Sequence, residues 1–168
     1  MQNAKDTFYI TLRNRLTALN PERTIVIRDA TRPGVLVEEN ELVTASQPTD
    51  AFVLSWPGTK VDTIGPLPLA TMQCQIRYAT DGTAGNGGMD RGRLLSAMDA
   101  ELASAVAAAP HNAPKLNYSA TTEGAAPAPM QTSIFWGDIV FGNLVTAGER
   151  LERTATVDVF SYQEAGEL

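Results

Sequence analysis

The chain has 168 residues, 43% of them hydrophobic and 19% charged, a balance that fits one folded domain and excludes a disordered one. A domain of this length buries roughly 70% of the surface its unfolded chain exposes, so it needs neither disulfide nor metal to hold a core. The net charge of −6 and the scatter of Arg13, Arg15, Arg23, Arg28, Arg32, Arg77, Arg91, Arg93, Arg150 and Arg153 argue against direct DNA binding, which rests on clustered cations.

Phe8, Leu12, Leu16 and Leu19 recur at helical spacing and predict an amphipathic helix over 3–19, stopped by Asn20-Pro21. Thr24–Arg28 is a β-branched run and reads as a strand. Residues 29–50 read either as a hairpin turning at Glu39-Asn40 or as a long loop. Ala51–Trp56 is an apolar strand that Pro57-Gly58 is expected to stop, with a proline-rich connection at 65–68.

Ala70–Thr80 is the clearest strand. Met72, Cys74, Ile76 and Tyr78 alternate with Gln73, Gln75, Arg77 and Ala79, which predicts one buried face and antiparallel neighbours. A glycine-rich loop, Asp81–Gly88, leads to a second helix starting near Met89 or Asp90 and ended by Pro110. Leu94, Leu95, Met98, Leu102, Ala105, Val106 and Ala109 mark its apolar face. Ala120–Met130 reads as an exposed loop. Two last strands are expected over Ser133–Phe141 and Leu151–Tyr162, joined around Ala147-Gly148-Glu149. The implied architecture is α+β: two helices packed on one mostly antiparallel sheet, in a single domain over 1–168.

The apolar runs fall well short of the ~18–20 residues of a membrane span, and the first residues lack an apolar signal core, so a cytosolic product is expected. Cys74 is alone and sits in a strand, where it reads as a small buried hydrophobe rather than a nucleophile. His111, the one histidine, stands in a Pro-His-Asn-Ala-Pro turn with no assigned partner. The Gly82–Gly88 loop lies where phosphate-binding loops occur. However, Met89 and Asp90 replace the Lys and Ser/Thr of a Walker loop, and Asp90 stands where a dinucleotide fingerprint needs glycine. The loop is better read as a linker or a subunit contact. No catalytic, cofactor-binding or metal-binding residue is assigned, and no cofactor is expected. The candidate contacts with a neighbouring chain are Trp56 and Pro57, at the expected strand end, and Asn86, Met89 and Arg91 on the glycine loop.

The order of elements resembles the tail terminator (tail completion) proteins of long-tailed bacteriophages. Asp6–Leu19 precedes Thr24–Arg28 as an N-terminal helix precedes the first strand there. Met72–Ala79 runs through 81–88 into Met89–Ala109, and the chain closes on the Thr-rich alternating strand Arg153–Tyr162. Two segments, 29–50 and 57–69, are longer than that pattern needs. The resemblance implies a virion protein, made in the host cytoplasm, that forms a homo-oligomeric ring of about six copies. The ring would cap the tail tube, stop its polymerisation and meet the head-neck connector, its acidic balance suiting a lumen through which DNA passes. Three other readings stand beside it. One is another neck or tail-tube protein, one a small ligand-binding domain or enzyme using Gly82–Gly88, and one an adaptor binding a protein through an exposed strand.

Overall fold

The computed structural model describes residues 1–41, 47–118 and 126–167. It is a mixed α/β fold in which two long helices, α1 (Gln2–Leu19) and α3 (Arg91–Ala107), share one core with the inner face of a large, curled sheet. A third, one-turn helix, α2 (Glu38–Glu41), follows a short strand and was not foreseen.

Helix α1 forms where expected and buries Ala4, Thr7, Phe8, Leu12 and Leu16, the i, i+4 stripe of an amphipathic helix. Leu19, expected on that stripe, is exposed because it ends the helix beyond the packed surface. The strand after it, β1 (Thr24–Ile27), turns at once into β2 (Ala30–Pro33), and the two form a separate hairpin. The hairpin therefore turns at Arg28-Asp29 and not at Glu39-Asn40. Both turn residues have positive φ (50° and 63°), the geometry of a two-residue type I′ turn. The remainder of the expected 29–50 segment forms β3 (Val35–Val37) and α2, while residues 42–46 lie outside the described residues.

β4 spans Phe52–Asp62, so Pro57-Gly58 does not stop it. The pairing with β5 (Leu69–Thr80) slips between Ser55, opposite Gln75, and Gly58, opposite Gln73. Trp56 and Pro57 thus share the single partner Cys74 in a β-bulge, where a proline costs no ladder hydrogen bond. β5 alternates as predicted from Ala70 to Tyr78, with Ala70, Met72, Cys74, Ile76 and Tyr78 buried, but Ala79, expected on the wetter face, is buried too, as is Thr80.

Helix α3 ends at Ala107, short of Pro110, and buries Leu95, Met98, Leu102, Ala105 and Val106. Leu94 is half-buried and Ala109 lies past the helix. The segment around His111, read as a turn, leads directly into an unforeseen strand, β6 (Asn112–Asn117). Of the expected 120–130 loop, residues 120–125 lie outside the described residues and Ala128–Met130 begin β7 (Ala128–Trp136). Two short strands, β8 (Val140–Phe141) and β9 (Val145–Ala147), precede the long β10 (Arg150–Tyr162), whose Ala155, Val157 and Val159 point inward.

The main sheet runs β3-β4-β5-β10-β7-β6, with β8 and β9 also paired on β10. Its pairings are antiparallel except β3 on β4. The sheet curls until its two end strands both reach α1. Tyr9 donates its hydroxyl hydrogen to Val35 O of β3 at 3.1 Å, and Leu116 N of β6 donates to Thr7 Oγ1 at 3.1 Å. Side chains of one helix thereby occupy backbone groups that an edge strand would leave open. Phe8 of α1 stands edge-on to both tryptophans, 5.9 Å from Trp56 and 5.7 Å from Trp136. Such aromatic pairs add to the burial they already provide.

Candidate functional site

The glycine loop is a preformed platform closed on its own backbone. Thr83 N donates to Asp90 Oδ1 at 2.8 Å and Gly82 N to Thr80 Oγ1 at 3.2 Å. The amides of Asn86, Gly87, Gly88, Met89 and Arg91 donate to carbonyls of Thr83, Ala84 and Asn86 or, for Arg91, of Gly88. A phosphate cradle needs such amides free and converging on an anion. Here seven of them are spent inside the loop, and the carboxylate of Asp90 sits where the anion would go. Hydrogen bonding from Thr83 holds the Asp90 carboxyl down at about 2, so it stays charged and would repel a phosphate.

The glycines are present for space and chirality. Gly82 and Gly88 both have positive φ (79° and 74°). A Cβ on Gly82 would lie 2.6 Å from Gly88 Cα, and one on Gly88 would lie 2.5 Å from Arg91 Cζ. The two backbone strands of the loop touch, and the Arg91 guanidinium lies across them.

Arg91 and Arg150 fasten the platform to the β9–β10 turn. Arg91 Nε donates to Asp81 O at 3.1 Å and Nη2 to Glu149 at 2.8 Å. Arg150 forks onto Asp81 at 2.9 and 3.2 Å and reaches Gln47 O at 2.6 Å. The Arg150 hydrogen bond draws the Asp81 carboxyl below its ordinary value. Arg91, expected as a contact, is thus half-buried and mainly intramolecular. Asn86 and Met89 are exposed, Met89 at 92%, on a surface that cannot easily rearrange.

Trp56 is a correction. It is only 9% exposed, packs on Phe8, and carries the Lys5 ammonium 5.6 Å from its ring centroid. The bulge keeps its side chain inward where a strand end would have released it. Pro57 beside it is exposed. The structure therefore does not bring Trp56 and the glycine-loop residues together as one patch.

Two apolar surfaces were missed. The first is the tip of the β4–β5 hairpin, an arm over Gly58–Leu67 in which all but Val61 are exposed. Ile64 is 94% exposed there, its amide held by Asp62 Oδ1 at 2.9 Å, and Asp62, Leu67 and Tyr162 line a groove beside it in the chain. The second is the β8–β9 segment, with Val140, Leu144 and Val145 each at least half exposed. A hydrophobe stranded between Asp62-Thr63 and Gly65-Pro66 was the available signal for the first. The second had none, because a run such as Asn143-Leu144-Val145 reads equally as core.

The chemistry-bearing side chains are otherwise occupied. Cys74 is fully buried, and burial pushes its thiol far up from its ordinary range. His111 is exposed, its Nε2 2.9 Å from Ala107 O. The buried ring of Tyr78 donates its hydroxyl hydrogen to Asp99, which also accepts from Arg153. Tyr78 and Arg153 line a cleft of about 270 Å³ with Arg77, itself paired to Glu38 at 3.0 Å. Among the described residues, no three His, Cys, Asp or Glu side chains converge as a metal site requires, and no helix is long and apolar enough to cross a membrane. No protein-family model matches the chain, and a search of curated proteins returns no similar sequence.

Proposed function

We propose that the chain is a structural virion protein that assembles head to tail into a ring on the end of a phage tail tube. In this reading the ring, of about six copies, halts tube growth and presents its other face to the head-neck connector, with DNA passing through the lumen. The observation that carries it is the placement of the two apolar surfaces. A ring needs two different patches per subunit, set on opposite flanks, since a self-complementary patch closes as a dimer. The arm lies on the β5 side of β10, and β8 and β9 lie on its other side. Tyr162 marks the arm end of β10, whereas Val145 pairs opposite Glu152 and Val140 opposite Thr156. At ~3.3 Å per residue the two patches are roughly 20–30 Å apart along that strand.

Clustered exposed hydrophobes rimmed by polar residues suit protein contacts. The rigid glycine platform with exposed Met89 supplies a further contact without an ordering cost. The resemblance in element order noted from the sequence supports a position at the tail terminus. The test is the solution mass over a concentration series, by light scattering behind a sizing column. We expect growth from 18.0 kDa toward the hexameric mass, abolished by Ile64→Asp. A wild-type chain that stays monomeric up to its solubility limit, or an assembly unaffected by Ile64→Asp, removes this reading.

A further inference from the structure

Among the described residues, Lys115 is the charged side chain that is buried outright, and the platform and the patches do not use it. Lys115 lies in β6 where its pairing with β7 slips, Pro114 facing Ser133 but Leu116 facing Pro129. The irregularity turns the side chain inward, and Lys115 is 0% exposed. Its ammonium donates to Glu167 Oε2 at 2.6 Å, Tyr162 O at 2.7 Å and Ser161 Oγ at 3.4 Å, with Glu164 at 3.7 Å. An ammonium taken out of water demands an anion, and both anions here come from one short segment after β10.

That segment, Gln163–Glu167, touches each element along this end of the sheet. Gln163 N donates to Pro68 O at the base of the arm at 2.8 Å. Glu164 accepts from Thr132 N and Oγ1 of β7 at 2.8 and 2.7 Å. Glu167 accepts from Lys115 of β6 and from the Glu164 amide, and its carbonyl accepts from the Met1 ammonium at 3.2 Å. The contacts are made by its two ends. Ala165 and Gly166 between them are exposed.

We propose that Gln163–Glu167 is a releasable strap, pinned by the Lys115–Glu167 pair, that fixes the arm base, β7 and β6 to one another and can open without unfolding the core. The strap spans few residues and its hold is polar, made by Gln163, Glu164 and Glu167, of which Glu167 gives the buried ammonium its shortest contact. Strap opening changes what the arm can reach, because the Pro68 carbonyl and the groove beside Tyr162 lose their anchor together. The inference stands whether or not the chain forms a ring.

The test is site-resolved amide exchange of the full chain as wild type and as Glu167→Gln, which keeps shape and removes charge. We expect the amides of Gln163, Glu164 and Thr132 to exchange roughly a hundredfold faster in the variant. Amides in the β5–β10 ladder, such as those of Cys74 and Val157, should be unchanged. Unchanged exchange at Gln163 and Thr132, or acceleration there only in step with the ladder, overturns the proposal. If Glu167→Gln does not fold, Lys115→Met/Glu167→Gln removes both charges. A strap as protected in that double variant as in wild type would show that the ion pair is not the pin.

Discussion

Gly88→Ala tests the account of the glycine loop most directly, because the structure assigns its cost to two separable causes. An alanine at φ 74° must adopt a left-handed conformation, which costs about 1–2 kcal/mol. Its Cβ would also sit 2.5 Å from Arg91 Cζ, so the guanidinium must leave. Arg91 then gives up its bond to Asp81 O, about 0.5–1.5 kcal/mol. It also gives up its pair with Glu149, which is 91% exposed and therefore contributes about 0–1 kcal/mol. The total is about 1.5–4.5 kcal/mol for Gly88→Ala and about 0.5–2.5 kcal/mol for Arg91→Ala. The double variant loses the Arg91 contacts only once, so the two single costs should exceed it by about 0.5–2.5 kcal/mol. Urea unfolding followed by the fluorescence of Trp56 and Trp136 measures all three, with the slope m unchanged. Additive losses, or a Gly88→Ala cost below about 0.5 kcal/mol, would refute the steric argument and with it the claim that these glycines serve packing.

Two further outcomes are expected. Arg15 donates to the carbonyls of Ala105, Ala108 and Pro110 at 3.0, 2.7 and 2.7 Å and lies 4.9 Å from the Trp136 ring centroid, so it caps α3 from α1. Arg15→Ala should cost about 2–3 kcal/mol and lower Tm by about 5–10 °C, with Lys recovering only part because it lacks the fork; a calorimetric loss below about 0.5 kcal/mol would contradict this. The Asp90 carboxyl, at about 2 in the fold against 3.8 ordinarily, contributes stability that is complete above 3.8 and lost as pH falls through about 2. Amide exchange at Thr83 should therefore accelerate over that window in the wild type and be pH-insensitive, beyond the intrinsic rate, in Asp90→Asn.

What could be read in advance, and what could not, separates along physical lines. Helices α1 and α3 and strands β5 and β10 carry their periods in the sequence, because each buries one face and the other stays wet. The β1–β2 hairpin was hidden because its turn uses Arg28-Asp29 at positive φ, where glycine or asparagine would have announced it. The bulge at Trp56-Pro57 was hidden for a related reason: a proline in a strand normally signals its end, and only the partner strand shows that β4 continues to Asp62. β6 was missed because Pro114 and Lys115 interrupt a short segment that pairs with β7 on one side and rests on α1 on the other.

The candidate contacts divide in the same way. Met89 and Asn86 could be placed on an exposed loop from Gly-rich composition alone. Trp56 could not be sorted between core and surface, since its sequence setting is the same in either case and only Phe8 packing across from α1 decides it. Lys115 drew no notice, as a lysine beside a proline reads as solvated. Its burial depends on carboxylates that arrive from residues 164 and 167.

The sequence by itself determined the mixed helix and strand content and the inward faces of the long elements, because these follow from local period and from solvent. It also determined that the glycine loop lacks the residues of a nucleotide site. The tertiary structure alone decided how the sheet curls onto α1, which flanks carry the stranded hydrophobes, and which carboxylate neutralises the buried lysine. Each of those depends on pairs of groups far apart in the chain, whose encounter no local pattern encodes.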